Sequence, residues 1–197
     1  MASILKVDTI QDQSGNNIIN ESADTITIGA SGDTITVPTG ASLTVPSGGL
    51  SGQNYPAFFA HAATNQSVSA STWTKITLGT EVIDTDSAFA SSRFTVPSDK
   101  AGKYMFQGSL NTYANNDMTR AQVAIYKNGA VLSATYNIIT STDQDLRHFT
   151  AEISTIDDAS VGDYYEIYGY IVGSTPQFSH DADTPRSTNF LGFRIGA

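Results

Sequence analysis

The sequence contains no cysteine, which removes disulfide scaffolds, thiolate zinc sites and cysteine nucleophiles together. Charge is scarce as well: 15% of residues are charged, and the ten lysines and arginines stand singly, with no basic run. With a formal net charge of −9, that scatter offers nothing to neutralise a phosphate backbone, so nucleic acid is not an expected partner. No stretch approaches the roughly 20 apolar residues of a membrane span, and no membrane insertion is expected. The opening Met1-Ala2-Ser3-Ile4-Leu5-Lys6-Val7 lacks the basic region and long apolar core of a secretory leader. Synthesis in the cytosol, with release by lysis or a specialised route, is the corresponding expectation. Helical periodicity is missing throughout.

What remains is a chain polar through Ser, Thr, Asn and Gly and 40% apolar over 197 residues, long enough for one full domain and a small appendage. Thr fits a pleated sheet, and Gly, Asn and Ser supply its turns. Low charge also suits assembly, because little charge has to be desolvated at a contact.

The chain changes character near residue 50, which sets expected domains of 1–50 and 51–197. No aromatic residue occurs in the first part. Instead Asp24-Thr25-Ile26-Thr27-Ile28 recurs as Asp33-Thr34-Ile35-Thr36-Val37, then more loosely as Ser42-Leu43-Thr44-Val45. Each unit reads as a short strand with Thr alternating against Ile or Val, followed by a Gly or Pro turn. Strands this short bury too little to fold alone, so Val7, Ile10, Ile26, Ile28, Ile35, Val37, Leu43 and Val45 are expected to share a core with identical copies in an intertwined trimeric stalk. A Thr/Gly-rich linker is the plainer alternative. Ile4 to Ile10, a polar turn and Ile18-Ile19 read as two strands that could dock on another protein by strand addition.

From Tyr55 onward strand follows strand. Tyr104, Phe106, Gly108 and Leu110 alternate against Lys103, Gln107 and Asn111. Trp73 to Leu78 and Phe149 to Ile153 alternate likewise, and Ala121, Val123 and Ile125 share a face. Asn128-Gly129 after Lys127 is a strong two-residue hairpin signal. Asp163–Val172 and Asn189–Ile195 are apolar on both faces, as strands are when sandwiched or at a subunit interface. The expectation is all-β: a short stalk, then an antiparallel sandwich.

Phe94-Thr95-Val96-Pro97, Gly102-Lys103-Tyr104-Met105-Phe106, Lys127-Asn128-Gly129, Val161-Gly162-Asp163 and Asn189-Phe190-Leu191-Gly192-Phe193 occur in that order. Together they resemble the globular heads of complement component one q and tumour necrosis factor, over most of residues 55–197. The resemblance implies a ten-strand jelly roll that forms tight homotrimers, with the C-terminal strand in the central sheet. Phe94, Pro97, Gly102, Tyr104, Phe106, Phe190, Gly192 and Phe193 are then fold-signature residues of the core or trimer interface. The segment from Pro97 to Gly102 is longer than the complement-type pattern, and no collagen-like triplets precede the head. A second resemblance, carried by Val7-Asp8-Thr9-Ile10-Gln11-Asp12-Gln13-Ser14-Gly15-Asn16 and Ala23 to Gly29, is to tail-fibre and appendage proteins of marine bacteriophages. It implies a virion component: an N-terminus held by other tail or capsid proteins, a trimeric stalk, and a knob touching a host cell-surface glycan or protein. A head fibre or capsid decoration, and a secreted or cell-surface binding module, are the rival readings.

Candidate chemistry is thin. His61, His148 and His180 stand far apart in sequence, in no metal-ligand spacing, and no G-x-S-x-G elbow nominates a nucleophile, so no enzyme and no cofactor are expected. Asp84/Asp86, Asp143/Asp145, Asp157/Asp158 and Asp181/Asp183 read as turn carboxylates. They are structural by their own hydrogen-bonding habit, or calcium ligands, a role the complement-type resemblance makes conceivable. Tyr164, Tyr165, Tyr168 and Tyr170 crowd one strand, where rings serve a core, a trimer axis or sugar stacking; Tyr164 and Tyr168 are assigned to the core or interface. Recognition is expected on the long polar connections, at Asn115, Asn116, Asp117, Asp143, Asp145, Gln177, His180 and Asp181, which otherwise are solvated connectors.

Overall fold

A computed structural model of the chain describes residues 9–11, 13–15, 17–22, 25–29, 32–41, 56–116, 118–136, 138, 146–180 and 186–196. The chain divides into two compact units, Met1–Leu50 and Ser51–Ala197. In the first, β1 (Thr9–Gln11), β2 (Asn17–Ser22) and β3 (Thr25–Ile28) form an antiparallel sheet in that order. Gly15, at φ 85°, supplies the left-handed residue of the turn between β1 and β2. The second repeat, Asp33 to Val37, forms no strand, contrary to the periodicity. Alternation alone does not make a strand; a neighbouring edge must take its backbone hydrogen bonds. Ile26, Ile28, Ile35 and Val37 are all exposed, Ile26 by 68% and Ile35 by 64%. Val7, Leu43 and Val45 lie outside the described residues.

The second unit is built from β4 (Ala57–His61), β5 (Gln66–Ser67), β6 (Thr74–Lys75), β7 (Thr80–Asp84), β8 (Phe89–Ala90), β9 (Arg93–Thr95), β10 (Gly102–Tyr113), β11 (Arg120–Lys127), β12 (Ala130–Ala134), β13 (His148–Ala159), β14 (Tyr164–Val172), β15 (Gln177–Phe178) and β16 (Asn189–Gly196). The described residues contain no helix. A seven-stranded sheet runs β5-β15-β10-β16-β4-β7 with β13 on the other edge of β10, and a six-stranded sheet runs β12-β11-β14-β9-β8 with β6 also on β14. All pairings are antiparallel. Trp73 to Leu78 makes a ladder only at Thr74–Lys75, yet its alternation holds, since Ile76 and Leu78 are buried.

The alternating strands set the core between the sheets. Tyr104, Phe106 and Leu110 of β10 meet Tyr165, Ile167 and Ile171 of β14 there, all of them fully buried. Phe58, Phe94 and Phe190 join them, with Phe58 stacked on Phe94 at 4.7 Å between ring centroids. Gly192 is the residue that lets the rings close in: a Cβ there would lie 2.6 Å from Phe106 Cδ1 and 2.7 Å from Phe58 Cε1.

The corner from Phe94 to Phe106 is tied at both ends. Val96 N–H donates to Asp163 O at 2.9 Å, and Gly162 N–H donates to Val96 O at 3.0 Å, so the corner is bonded to the Val161-Gly162 turn. The long segment before Gly102 is held by the Tyr104 hydroxyl, which donates to Lys100 O at 2.6 Å; burial pushes that phenol up to about 12. Asn128 and Gly129 both have positive φ, 53° and 82°, as a two-residue turn matched to strand twist requires.

Candidate functional site

With Tyr104, Phe106, Gly108 and Leu110 turned inward, Met105, Gln107, Ser109, Asn111 and Tyr113 of β10 lie on the opposite, outer face. The register carries that face across the sheet. Met105 stands opposite Ile156 and Phe193, Gln107 opposite Ser154 and Leu191, Leu191 opposite Phe59, and Phe59 opposite Ile83. Ile156, Met105, Phe193, Leu191, Phe59 and Ile83 therefore make an apolar band across β13, β10, β16, β4 and β7. Ile156 is 63% exposed and Ile83 47%. Phe193 belongs to this band and not to the core, whereas Phe190 and Gly192 of the same motif face inward. The sequence called both faces of Asn189 to Ile195 apolar; the register shows that the outer one continues into four other strands.

Further along, the same face turns polar. Tyr113 stands opposite His148 and Gln177, and the two rings meet at 5.0 Å. Asn65, Asn111, Tyr113, His148, Gln177, Ser179 and His180 line a pocket of about 360 Å³. The Tyr113 hydroxyl donates to Asn115 Oδ1 at 2.9 Å, and His180 N–H donates to Asn65 Oδ1 at 2.6 Å. Two of the expected recognition residues, Gln177 and His180, thus come together, with Asn115 joined to them through Tyr113. Asn116 is exposed in the turn beside it. Asp117, Asp143, Asp145 and Asp181 lie outside the described residues. Histidines far apart in sequence, His148 and His180, share this pocket, while His61 is buried with Nδ1 2.9 Å from Ala62 O. Sequence reasoning missed Asn65, Asn111, Tyr113 and His148. The signal was available only in part: Asn111 and Tyr113 occupy outward positions of the best-read strand, but their distant neighbours required the register. The lining offers amides, hydroxyls and imidazoles, donors and acceptors suited to a neutral polar ligand.

The aspartate pairs separate into different roles. Asp157 and Asp158 are not in a turn; they are strand residues of β13, opposite Tyr104 and Lys103. The sequence reading missed this because Asp is a poor strand former, and here the pair is supported by cations. Asp157 accepts from Lys127 Nζ at 2.7 Å and from the Tyr165 hydroxyl at 2.5 Å, and Lys127 Nζ also lies 3.0 Å from Asp163. Burial acts to lower the Lys127 ammonium, but the two carboxylates outweigh it and hold it above its ordinary value. Burial likewise acts to raise Asp163, and hydrogen bonds from Asn128, Ser160 and Lys127 bring it below the usual range. Asp84 accepts from Ala88 N–H and Phe89 N–H at 2.8 and 3.1 Å, closing the bend after β7. Asp183 is outside the described residues, among which no three His, Asp or Glu are gathered as a metal site would need.

The tyrosines of β14 divide by alternation. Tyr165 is in the core. Tyr164, Tyr168 and Tyr170 are half-buried on the outer face of the six-stranded sheet, so of the two roles expected for Tyr164 and Tyr168, core or interface, the core is excluded. Between them the buried Glu166 carboxylate accepts from Lys75 Nζ at 2.7 Å and Arg93 Nε at 2.8 Å.

No protein-family model matches the chain, and no curated protein matches it either. Solved structures do. The Eiger TNF structure from S. frugiperda aligns with a TM-score of 0.55 at 11% identity, covering 73% of this chain and 94% of that one. The globular domain of the zebrafish complement 1qA protein gives 0.49 at 15% identity, covering 71% and 97%, and murine APRIL gives 0.49 at 12%, covering 70% and 95%. What is shared with Eiger TNF is the fold alone: two antiparallel sheets in the jelly-roll arrangement.

Proposed function

We propose that this chain is a non-enzymatic virion appendage protein, a tail fibre. In this reading its jelly-roll unit self-associates as a homotrimer and its polar pocket binds a host surface receptor. The apolar band through Ile156, Met105, Phe193, Leu191, Phe59 and Ile83 carries the self-association in this reading. Ile156 and Ile83 are exposed and Met105, Phe193, Leu191 and Phe59 half-buried; apolar groups in reach of water and contiguous over several strands mark an association surface. A second copy of the same chain is the occupant most economical with the fold, which has the jelly-roll form of Eiger TNF, and a closed ring of copies would cover every band. The exposed Ile26, Ile28, Ile35 and Val37 of the N-terminal unit support the same assembly, with identical strands supplying the missing edges of the stalk. Ile10 and its neighbours would then grip a tail or capsid protein.

The pocket lined by Tyr113, His148, Gln177 and His180 has hydrogen-bonding groups suited to holding and releasing a receptor without chemistry, and the reading includes no metal or cofactor. Antibody labelling of intact particles tests the whole: label at the tail tip, in a few copies per particle, is expected. Label over the capsid in many copies would make the protein a decoration, and absence from purified particles would overturn the virion reading.

A further inference from the structure

The outer face of the six-stranded sheet has a chemistry unlike that of the apolar band. Because Tyr165, Ile167 and Ile171 point into the core, alternation puts Tyr164, Glu166, Tyr168 and Tyr170 outside. Their neighbours on β11, by register, are Tyr126 opposite Glu166 and Gln122 opposite Tyr170. Trp73, immediately before β6, lays its ring across the strands, 5.4 Å from Tyr170 and 6.4 Å from Tyr126. Tyr126 in turn stacks on Tyr168 at 4.0 Å and 26°. At one end the Arg120 guanidinium lies between two rings, 6.0 Å from Tyr170 and 5.3 Å from Tyr136, the latter 71% exposed. At the other, Arg93 covers Tyr164 at 4.0 Å, and Lys75 and Arg93 line an open hollow of about 590 Å³. The result is one strip of rings with cations at both ends.

Two properties of the strip select its occupant. The centre holds rings with a hydroxyl or an indole N–H at the rim, where the other sheet's band holds Ile, Leu, Met and Phe. Amphipathic rings suit a ligand apolar on its faces and polar at its edges, which describes a pyranose. Burial pushes the Tyr126 and Tyr168 phenols up, so both remain hydroxyl donors at neutral pH. The charge then specifies the sugar. Among the described residues Lys75, Arg93 and Arg120 meet one carboxylate on the strip itself, Glu166, shared by Lys75 and Arg93, while Asp86 lines the hollow beside those two cations. Among the described residues Arg120 has no carboxylate in salt-bridge range. A locally positive strip on a chain of net charge −9 complements an anion.

The geometry points to this strip as a binding face for a carboxylated glycan, with sugar rings stacked along Trp73, Tyr170 and Tyr126 and an acid group on Arg120. It lies on the opposite sheet from the apolar band and the polar pocket, and it stands whether or not the protein belongs to a virion. Stacking fixes the sugar planes, and a guanidinium presents paired donors to a carboxylate.

Trp73 is the sole tryptophan, so its emission reports directly on the strip in the full-length protein. The probes are tetrasaccharides of galacturonic acid and of sialic acid, each with its methyl ester, and an oligothymidylate of similar length. A saturable change in Trp73 emission is expected with at least one acidic tetramer, at concentrations on the order of 1 mM or below, and its ester should bind at least about tenfold more weakly. Arg120→Gln should erase the acid–ester difference while neutral binding persists. Tyr170→Ala should weaken both, and calorimetry on Trp73→Ala should show no binding, with the circular dichroism of all three variants unchanged. No saturable change with either acid, equal affinity for acid and ester, or preservation of the difference in Arg120→Gln would overturn the proposal. So would tighter saturation by the oligothymidylate, or an emission shift on dilution without sugar, which would put a second copy on the strip.

Discussion

The Phe106 ring of one sheet stacks on the Tyr165 ring of the other, 4.1 Å between centroids and 26° between planes. Tyr165 reaches further, since its hydroxyl donates to Asp157, which lies on β13 in the same sheet as Phe106. One side chain thus joins the sheets through an apolar and a polar contact. Phe106→Ala removes the ring from a fully buried site and should cost about 3–5 kcal/mol. Tyr165→Phe keeps the stack and loses a hydrogen bond to a charged group, for about 1.5–3 kcal/mol. Denaturant titration of both variants checks the order; an equal or smaller loss for Phe106→Ala would contradict it.

Gly192→Ala introduces a methyl group where Phe106 and Phe58 already stand at 2.6 and 2.7 Å. Rings packed on other rings have little room to retreat, so a destabilisation of about 1–3 kcal/mol is expected. A melting temperature equal to that of the parent protein would show that the rings move aside.

Two carboxylates sit below their ordinary values. Burial raises Glu166, but the hydrogen bonds and charges of Lys75 and Arg93 prevail; Asp163 is lowered by Asn128, Ser160 and Lys127 against the same burial. The unfolded chain therefore binds these protons first. Their contribution to stability is present above the ordinary carboxylate values of 4.5 and 3.8, and it is lost as pH falls through the depressed ones. Thermal melts between about pH 6 and pH 3 should show a steep acid loss, made shallower in Glu166→Gln. An unchanged slope in that variant would assign the acid loss to other groups.

Much of the fold was legible because one strand states it plainly. Tyr104, Phe106, Gly108 and Leu110 alternate against polar neighbours, Asn128-Gly129 marks the hairpin between β11 and β12, and the all-β architecture follows from local pattern. The surfaces were less legible, because they depend on register. Nothing local says that Met105, Leu191, Phe59 and Ile83 share a face, or that Tyr113 meets His148 and Gln177. The tyrosine-rich strand misled for a related reason: composition shows four tyrosines, and only the phase of the pleat shows that Tyr165 is inside while Tyr164 and Tyr168 are outside. At Asp33 to Val37 the alternation was real and the edge to pair with was lacking in a single chain. Asp157 and Asp158, read as turn residues, are held in a strand by Lys127, Tyr165 and Lys103.

The polar pocket gives a prediction of its own. Tyr113→Ala removes both the ring on His148 and the hydroxyl bound to Asn115. Added protein should compete with particles for host cells, and this variant should compete at least about tenfold less well, with association and melting temperature preserved. Full competition by Tyr113→Ala together with His180→Ala would remove recognition from this pocket.

Self-association through the apolar band is the central claim, and sedimentation velocity of the full chain tests it most directly. The wild-type protein should sediment as a single species of three times the 20.9 kDa chain mass, and Leu191→Arg with Phe193→Glu should dissociate it into folded monomers. A folded wild-type monomer of 20.9 kDa, or a trimer indifferent to both substitutions, would contradict the account.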